Sequence, residues 1–267
     1  MKEEKSPKLE AESKSAVKKS PQTKIDPRLK QLLEAGAHFG HRTARWNPKM
    51  KPYIFGVRGG VHIIDLTQTA PQLAAAEKFA YEATKLGGQL LFVGTKRQAK
   101  PIIEKYAHET GMPYVTHRWL GGMITNLDTI KTRIQRLKKL EAQKEENDFA
   151  GIIKKEKMLL EKQMIKLTKV FGGIRDMHGV PAAIFVVDMP KEDIAILEAR
   201  KLNIPVIAIT DTNANPDQAD YMIVANDDSI KTIDLITGVI AAAVQKGSSE
   251  YKAKAESESP AAEEEVV

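Results

Sequence analysis

Apolar residues in the middle of the chain come in short unbroken runs, separated by longer stretches in which they recur every three or four positions. The runs are Leu90 to Val93, Tyr114 to Thr116, Ala182 to Asp188, Val206 to Thr210 and Tyr221 to Ala225, all rich in β-branched or aromatic side chains. Such runs read as strands buried on both faces, and therefore parallel. The intervening stretches, near Thr67 to Leu86, Arg97 to Thr110, Lys191 to Leu202 and Ser229 to Gln245, read as helices. Earlier, Ile54 to Val57 and Val61 to Ile64 flank Arg58-Gly59-Gly60, which predicts a small hairpin ahead of the main sheet.

Residues 124 to 171 break the alternation with two helical patterns and no strand. Leu127, Ile130, Ile134 and Leu137 make a narrow seam on the first. Ile153, Lys157, Leu160, Met164, Leu167 and Phe171 make one on the second, with a lysine in an apolar position. Gly121-Gly122 and Gly172-Gly173 stand where such a hairpin would leave and rejoin the sheet domain. The expected fold is therefore α/β: a parallel sheet flanked by helices, three-layered and Rossmann/flavodoxin-like, over residues 25–123 and 172–246, with an inserted antiparallel coiled-coil hairpin over 124–171. Residues 1–24 and 247–267 are rich in Lys, Glu, Ser, Ala and Pro and are expected to be disordered tails, the second of them acidic.

Length agrees with one large domain or two modest ones, at 267 residues. The longest apolar runs are too short to span a bilayer, so no membrane partner is expected. Cysteine is absent, which removes disulfides, thiolate zinc sites and a cysteine nucleophile. The N-terminus has no apolar signal core, and a cytoplasmic protein is expected. The net charge of +6 divides unevenly: +3 in residues 1–24, −4 in 247–267 and +7 between them. The folded part is thus more basic than the whole, which suits a polyanionic partner.

Catalytic chemistry finds little support. Gly94-Thr95-Lys96 resembles part of a phosphate-binding loop, but Arg97 follows where Ser or Thr belongs, and no dinucleotide glycine pattern or nucleophile elbow occurs. Asp211-x-Asn213-x-Asn215 opens like a calcium loop, but has Pro216 where Gly is required and Met222 where Glu is required. His38 and His41 could form half of a zinc site on a helical face, yet no further ligand pattern accompanies them. Asp188, Asp211, Asp227 and Asp228, at strand ends, read as caps and loop braces. No catalytic residue, metal or cofactor is assigned.

Nucleic-acid contact is better supported. No acidic residue occurs between Glu34 and Asp65, a stretch that holds Arg42, Arg45, Lys49, Lys51 and Arg58 interleaved with Phe39, Trp46, Tyr53 and Phe55. Cations neutralise phosphates, and aromatic faces stack on unpaired bases. Lys96, Arg97 and Lys100 form a second cluster. Arg118 with Lys131, Arg133, Arg136, Lys138 and Lys139 forms a third.

The segments His38-Phe39-Gly40-His41-Arg42, Arg45-Trp46-Asn47-Pro48-Lys49-Met50-Lys51-Pro52-Tyr53-Ile54 and His62-Ile63-Ile64-Asp65-Leu66 together resemble the bacterial form of the second small-subunit ribosomal protein family. Phe92-Val93-Gly94-Thr95-Lys96, Arg118-Trp119-Leu120-Gly121-Gly122-Met123, Thr125-Asn126, Gly172-Gly173-Ile174 and Asn226-Asp227-Asp228 continue the resemblance in the family's order, over roughly residues 29–246. One stretch departs: Tyr221 to Ala225 lacks the prolines of the family's Tyr-Pro-Ile-Pro-Gly. The resemblance implies a structural constituent of the small ribosomal subunit, without a small-molecule substrate. Its implied partners are small-subunit (16S) rRNA and neighbouring proteins, and it helps to recruit the large first small-subunit protein. Arg42, Arg45, Trp46, Lys49, Lys51, Lys96, Arg97, Arg118, Trp119, Asn126 and Arg133 are the expected rRNA-contacting residues. Two other classes compete: a nucleotide- or sugar-phosphate-dependent α/β enzyme, opposed by the missing motifs, and a coiled-coil adaptor, opposed by the acid-free basic stretch.

Overall fold

A computed structural model describes residues 26–149 and 151–258. The chain opens with α1 (Pro27–Ala35), started by Asp26, whose carboxylate accepts the Arg28 N–H, and closed by Gly36 in the left-handed conformation. Three strands follow, β1 (Phe39–Arg42), β2 (Ile54–Arg58) and β3 (Val61–Ile64), forming an antiparallel sheet in the order β1-β3-β2. Gly59 and Gly60 both have positive φ, as the tight β2–β3 turn requires.

The main sheet contains β4 (Leu90–Val93), β5 (Tyr114–Val115), β6 (Ala183–Val187), β7 (Val206–Thr210) and β8 (Tyr221–Val224), all parallel, in the order β5-β4-β6-β7-β8. Alternation along each strand divides its side chains between two cores. Leu90, Phe92, Phe185, Val187, Ile207 and Ile209 face α1, α2 (Leu66–Lys85), α3 (Lys100–Thr110) and α7 (Ile230–Glu258). Leu91, Val93, Ile184, Val186, Val206 and Ala208 face α6 (Asp193–Lys201) and the root of the inserted hairpin. The expected three-layer α/β architecture is present. Without prolines, β8 keeps its backbone donors, and the Val224 N–H uses one on Gln72 Oε1 at 3.0 Å.

The insertion forms α4 (Leu127–Asn147) and α5 (Lys154–Phe171), joined by a turn in which Asp148 and Phe149 have positive φ and Phe149 is buried. The Lys157 ammonium, on the apolar seam, reaches back to Asp148 and ties down that turn. Ile153 departs from the expected seam, being 73% exposed. The hairpin is also less separate than its narrow seams suggest: Ile130, Ile134 and Phe171 belong to the core beneath the sheet.

At the other end, α7 continues to Glu258, although a tail was expected from residue 247. Two contacts with α2 hold it: Gly247 lets the helices approach at Tyr81 and Thr84, and Glu250 accepts from the Tyr81 hydroxyl at 2.6 Å and pairs with Lys85 at 3.2 Å. The expected N-terminal tail and residues 259–267 of the acidic one lie outside the described residues.

Candidate nucleic-acid interface

The loops that leave the carboxyl ends of β4, β6, β7 and β8 converge on Lys96. Its ammonium lies 2.6 Å from Asp227 Oδ1, 2.7 Å from Asp228 Oδ1 and 3.4 Å from Asp188 Oδ2. His41, delivered by β1, places Nδ1 3.1 Å from Asp211 Oδ2 and Nε2 3.6 Å from Asp228 Oδ2. The neighbouring Asp211 carboxylate raises the His41 pKa to about 9 despite partial burial. Burial, together with repulsion from Asp211 and Asp188, raises Asp227 to about 7. Burial pulls Lys96 down, but its carboxylate neighbours outweigh that and hold it above its ordinary value.

This cluster braces the small sheet against the large one. The Thr212 hydroxyl accepts the His41 N–H at 2.9 Å, the Thr212 carbonyl accepts the Asn47 N–H at 2.8 Å, and Gly40 leaves no room for a side chain against Thr212. Ligand atoms of His41, Asp227 and Asp228 lie within 4.8 Å of one another, a spacing that a cation could use, although Lys96 already supplies positive charge to both carboxylates. His38 does not join them: it precedes β1 and packs on Phe39, the rings tilted by 40° with centroids 4.0 Å apart.

Two residues expected to touch rRNA are enclosed. Lys96 is 9% exposed and saturated by carboxylates, because the fold wraps the strand-end aspartates around it. Trp119 is 5% exposed and donates its indole N–H to Glu198 Oε1 at 3.1 Å, so its ring belongs to the core. Glu198 also accepts from the backbone N–H groups of Gly122, Ile124 and Thr125 and from the Thr125 hydroxyl. Burial works to raise its pKa, but these donors prevail and hold it below the ordinary carboxylate value. Glu198 belongs to no motif of the chain. Its signal was an acid beside Ala195, Ile196 and Ala199, on the buried stripe of α6.

The other expected contacts remain at the surface. Arg42, Arg45 and Lys51 are exposed around the short 3-10 turns between β1 and β2, Arg97 and Arg118 on strand-end loops, and Asn126 and Arg133 at and within the start of α4. Lys49 is exposed but ion-paired with Asp217. Trp46 is exposed, its ring 5.1 Å from that of His62. Beside these cations the small sheet exposes Phe39, Val57 and Phe55, the last 81% exposed.

The model of the family described as Ribosomal protein S2 matches residues 32–247. The chain belongs to the ribosomal protein S2 family. Proteins called small ribosomal subunit protein uS2 are similar to it over most of their length. The one from Nocardia farcinica is 56% identical over 219 residues, covering 82% of this chain and 77% of its own. That from Mycolicibacterium vanbaalenii is 52% identical over 241 residues, 88% of each chain. That from Bdellovibrio bacteriovorus is 50% identical over 226 residues, 85% of this chain and 72% of its own. The S2 family is structural and not enzymatic, so this chain has a ribosomal role in translation. Among the described residues, no helix is long and apolar enough to cross a membrane.

Proposed function

We propose that this chain is a structural constituent of the small ribosomal subunit in the cytoplasm, held there chiefly by 16S rRNA. One observation carries the reading: Arg42, Arg45, Lys51 and Arg58 are all exposed on a segment without a single carboxylate, next to exposed aromatic surface. Cations without intramolecular partners retain their full attraction for phosphate, and the strand-end brace holds their scaffold in place. Arg97, Arg118, Asn126 and Arg133 extend the same interface, whereas Lys96 and Trp119 support it from within.

Neighbouring proteins are proposed to dock on the small sheet. Phe39, Phe55 and Val57 present more apolar surface than a solvated sheet face needs, and this is the surface proposed to help recruit the first small-subunit protein.

Incorporation into small subunits over a salt series tests the rRNA reading with R42A/R45A. Each lost phosphate contact is expected to flatten the slope of log affinity against log salt by about 0.7 to 0.9. Unchanged incorporation and slope in a variant that melts like the parent would overturn the reading.

A further inference from the structure

Two clefts meet on the β5 side of the sheet, where the hairpin returns to the body. One, of about 470 Å³, lies among α3, β5 and the end of α5, with Lys100, Tyr114 and Lys169 in its wall and Gly172-Gly173 beside them. The other, of about 510 Å³, lies among the ends of β4, β5 and β6, with Arg118, Lys191 and Thr95 around it. His117 lines both, so the two clefts are neighbours on either side of its ring. The second cleft sits beside the β4/β6 boundary, where the strand order reverses and where open parallel sheets gather ligands.

The charge in these clefts is unbalanced. Lys100, Lys169 and Arg118 make no ion pair among the described residues. The carboxylates that line them are turned to internal tasks: Glu104 accepts from the Thr116 hydroxyl at 2.6 Å, and Glu192 from the Thr95 N–H at 2.9 Å and from its hydroxyl. Only Arg175, at the far end, is shared with acids, Glu141 at 3.8 Å and Asp176 at 3.6 Å. His117 registers the result: burial and then the charges of Lys169 and Lys100 hold its ring below its ordinary pKa. The clefts are left with an excess of cations that an anion from outside can meet.

We propose that this pair of clefts seats a short unpaired stretch of RNA, with phosphates on Lys100, Lys169 and Arg118 and a base against Tyr114. The inference deepens the rRNA reading above and rests on it. Clefts of this size can take unstacked single nucleotides but not a duplex, whose paired bases cannot be splayed into them. Tyr114 meets His108 edge to face, 5.2 Å between ring centroids, and the part of its ring that lines the cleft offers an aromatic contact to a base. Gly173 packs closely against the same ring, where a Cβ would lie 2.8 Å from Tyr114 Cδ2.

The test uses the full chain, a fluorescent single-stranded RNA of about ten nucleotides and a duplex of similar charge. In K100A/K169A, affinity for the single strand is expected to fall roughly tenfold, and the salt slope to flatten by about 1.4, while duplex binding changes little. Single-strand affinity and slope equal to the parent's, in a variant with the parent's melting temperature, would overturn the inference while leaving the R42A/R45A test to judge the wider interface. So would equal weakening for duplex and single strand. A polyglutamate peptide that binds the parent more tightly than the RNA, and loses its site in K100A/K169A, would assign the clefts to an acidic protein instead. Exchange for glutamine, K100Q/K169Q, repeats the measurement with side-chain length retained.

Discussion

Trp119 and Glu198 meet 3.1 Å apart beneath the loop that carries Arg118, and the same carboxylate gathers three backbone N–H groups and one hydroxyl from that loop. An exposed arginine thus owes its position to a buried acid on a different helix. E198A removes the acceptor and strands the donors, so we expect a loss of about 2–4 kcal/mol, or some 4–16 °C in Tm. Because its donors hold Glu198 below the ordinary value of 4.5, its contribution is present above about pH 4.5 and disappears as pH falls through the lower folded value. Thermal melts of E198Q and parent should therefore converge in acid. Equal losses at pH 3 and pH 7 would show that the charge is irrelevant.

Lys96 is the only cation touching Asp188 and Asp227 among the described residues. K96M leaves buried carboxylates facing one another, a defect expected to cost about 3–5 kcal/mol at pH 8. The defect should shrink as Asp227, raised to about 7 even with Lys96 beside it and higher once that cation is removed, takes up a proton. Urea unfolding at pH 8 and pH 5.5 measures both values, and K96M/D227N should recover part of the loss at pH 8. A double variant no more stable than K96M would count against the pairing.

His41 makes an opposite demand on pH from Glu198. Its pKa is raised from an ordinary 6.5 to about 9, so its stabilising contribution is complete below about pH 6.5 and is lost as pH rises through 9. H41Q should therefore be penalised more at pH 6 than at pH 10, with the gap read from unfolding midpoints at the two values. A penalty that grows with pH would mean that Asp211 and Asp228 do not hold the charged ring.

The parallel sheet was legible because its strands are apolar on both faces, a pattern that sequence carries locally. The small sheet was only half legible. Gly59-Gly60 announced β2 and β3, but β1 carries Phe-Gly-His-Arg, with its aromatic residue exposed, and becomes a strand through pairing with β3. The α1 helix carries a start signal in Asp26-Pro27 and a stop in Gly36, but only two turns of apolar periodicity between them. Among site residues, Arg42 and Arg45 could be read from their acid-free surroundings. Lys96 could not, since the carboxylate that encloses it lies 131 positions away in the chain. The cleft residues Lys169 and Lys191 carried no local signal, being ordinary helix and loop lysines until the sheet order brought them beside His117 and Thr95.

The hairpin supplies a prediction that depends on where it is cut. Ile130, Ile134 and Phe171 are packed beneath the sheet, whereas Leu137, Leu140 and Phe149 are buried outside that core. Deleting 128–166 would strip Ile130 and Ile134 from the body, and buried isoleucines contribute about 2–5 kcal/mol each relative to alanine, so that deletion should destabilise the α/β domain itself. Deleting 141–160 and joining the stubs with a short Gly-rich turn keeps those residues and Lys169, and should leave the Tm within about 4 °C of the parent. The shortened arm loses exposed Lys154 and Lys155 together with Met158 and Leu159, so incorporation into small subunits should weaken although the body is folded. Wild-type incorporation by the short-armed protein would make the outer arm a solvated spacer. A collapse in Tm equal to that of the longer deletion would make the whole hairpin part of the core.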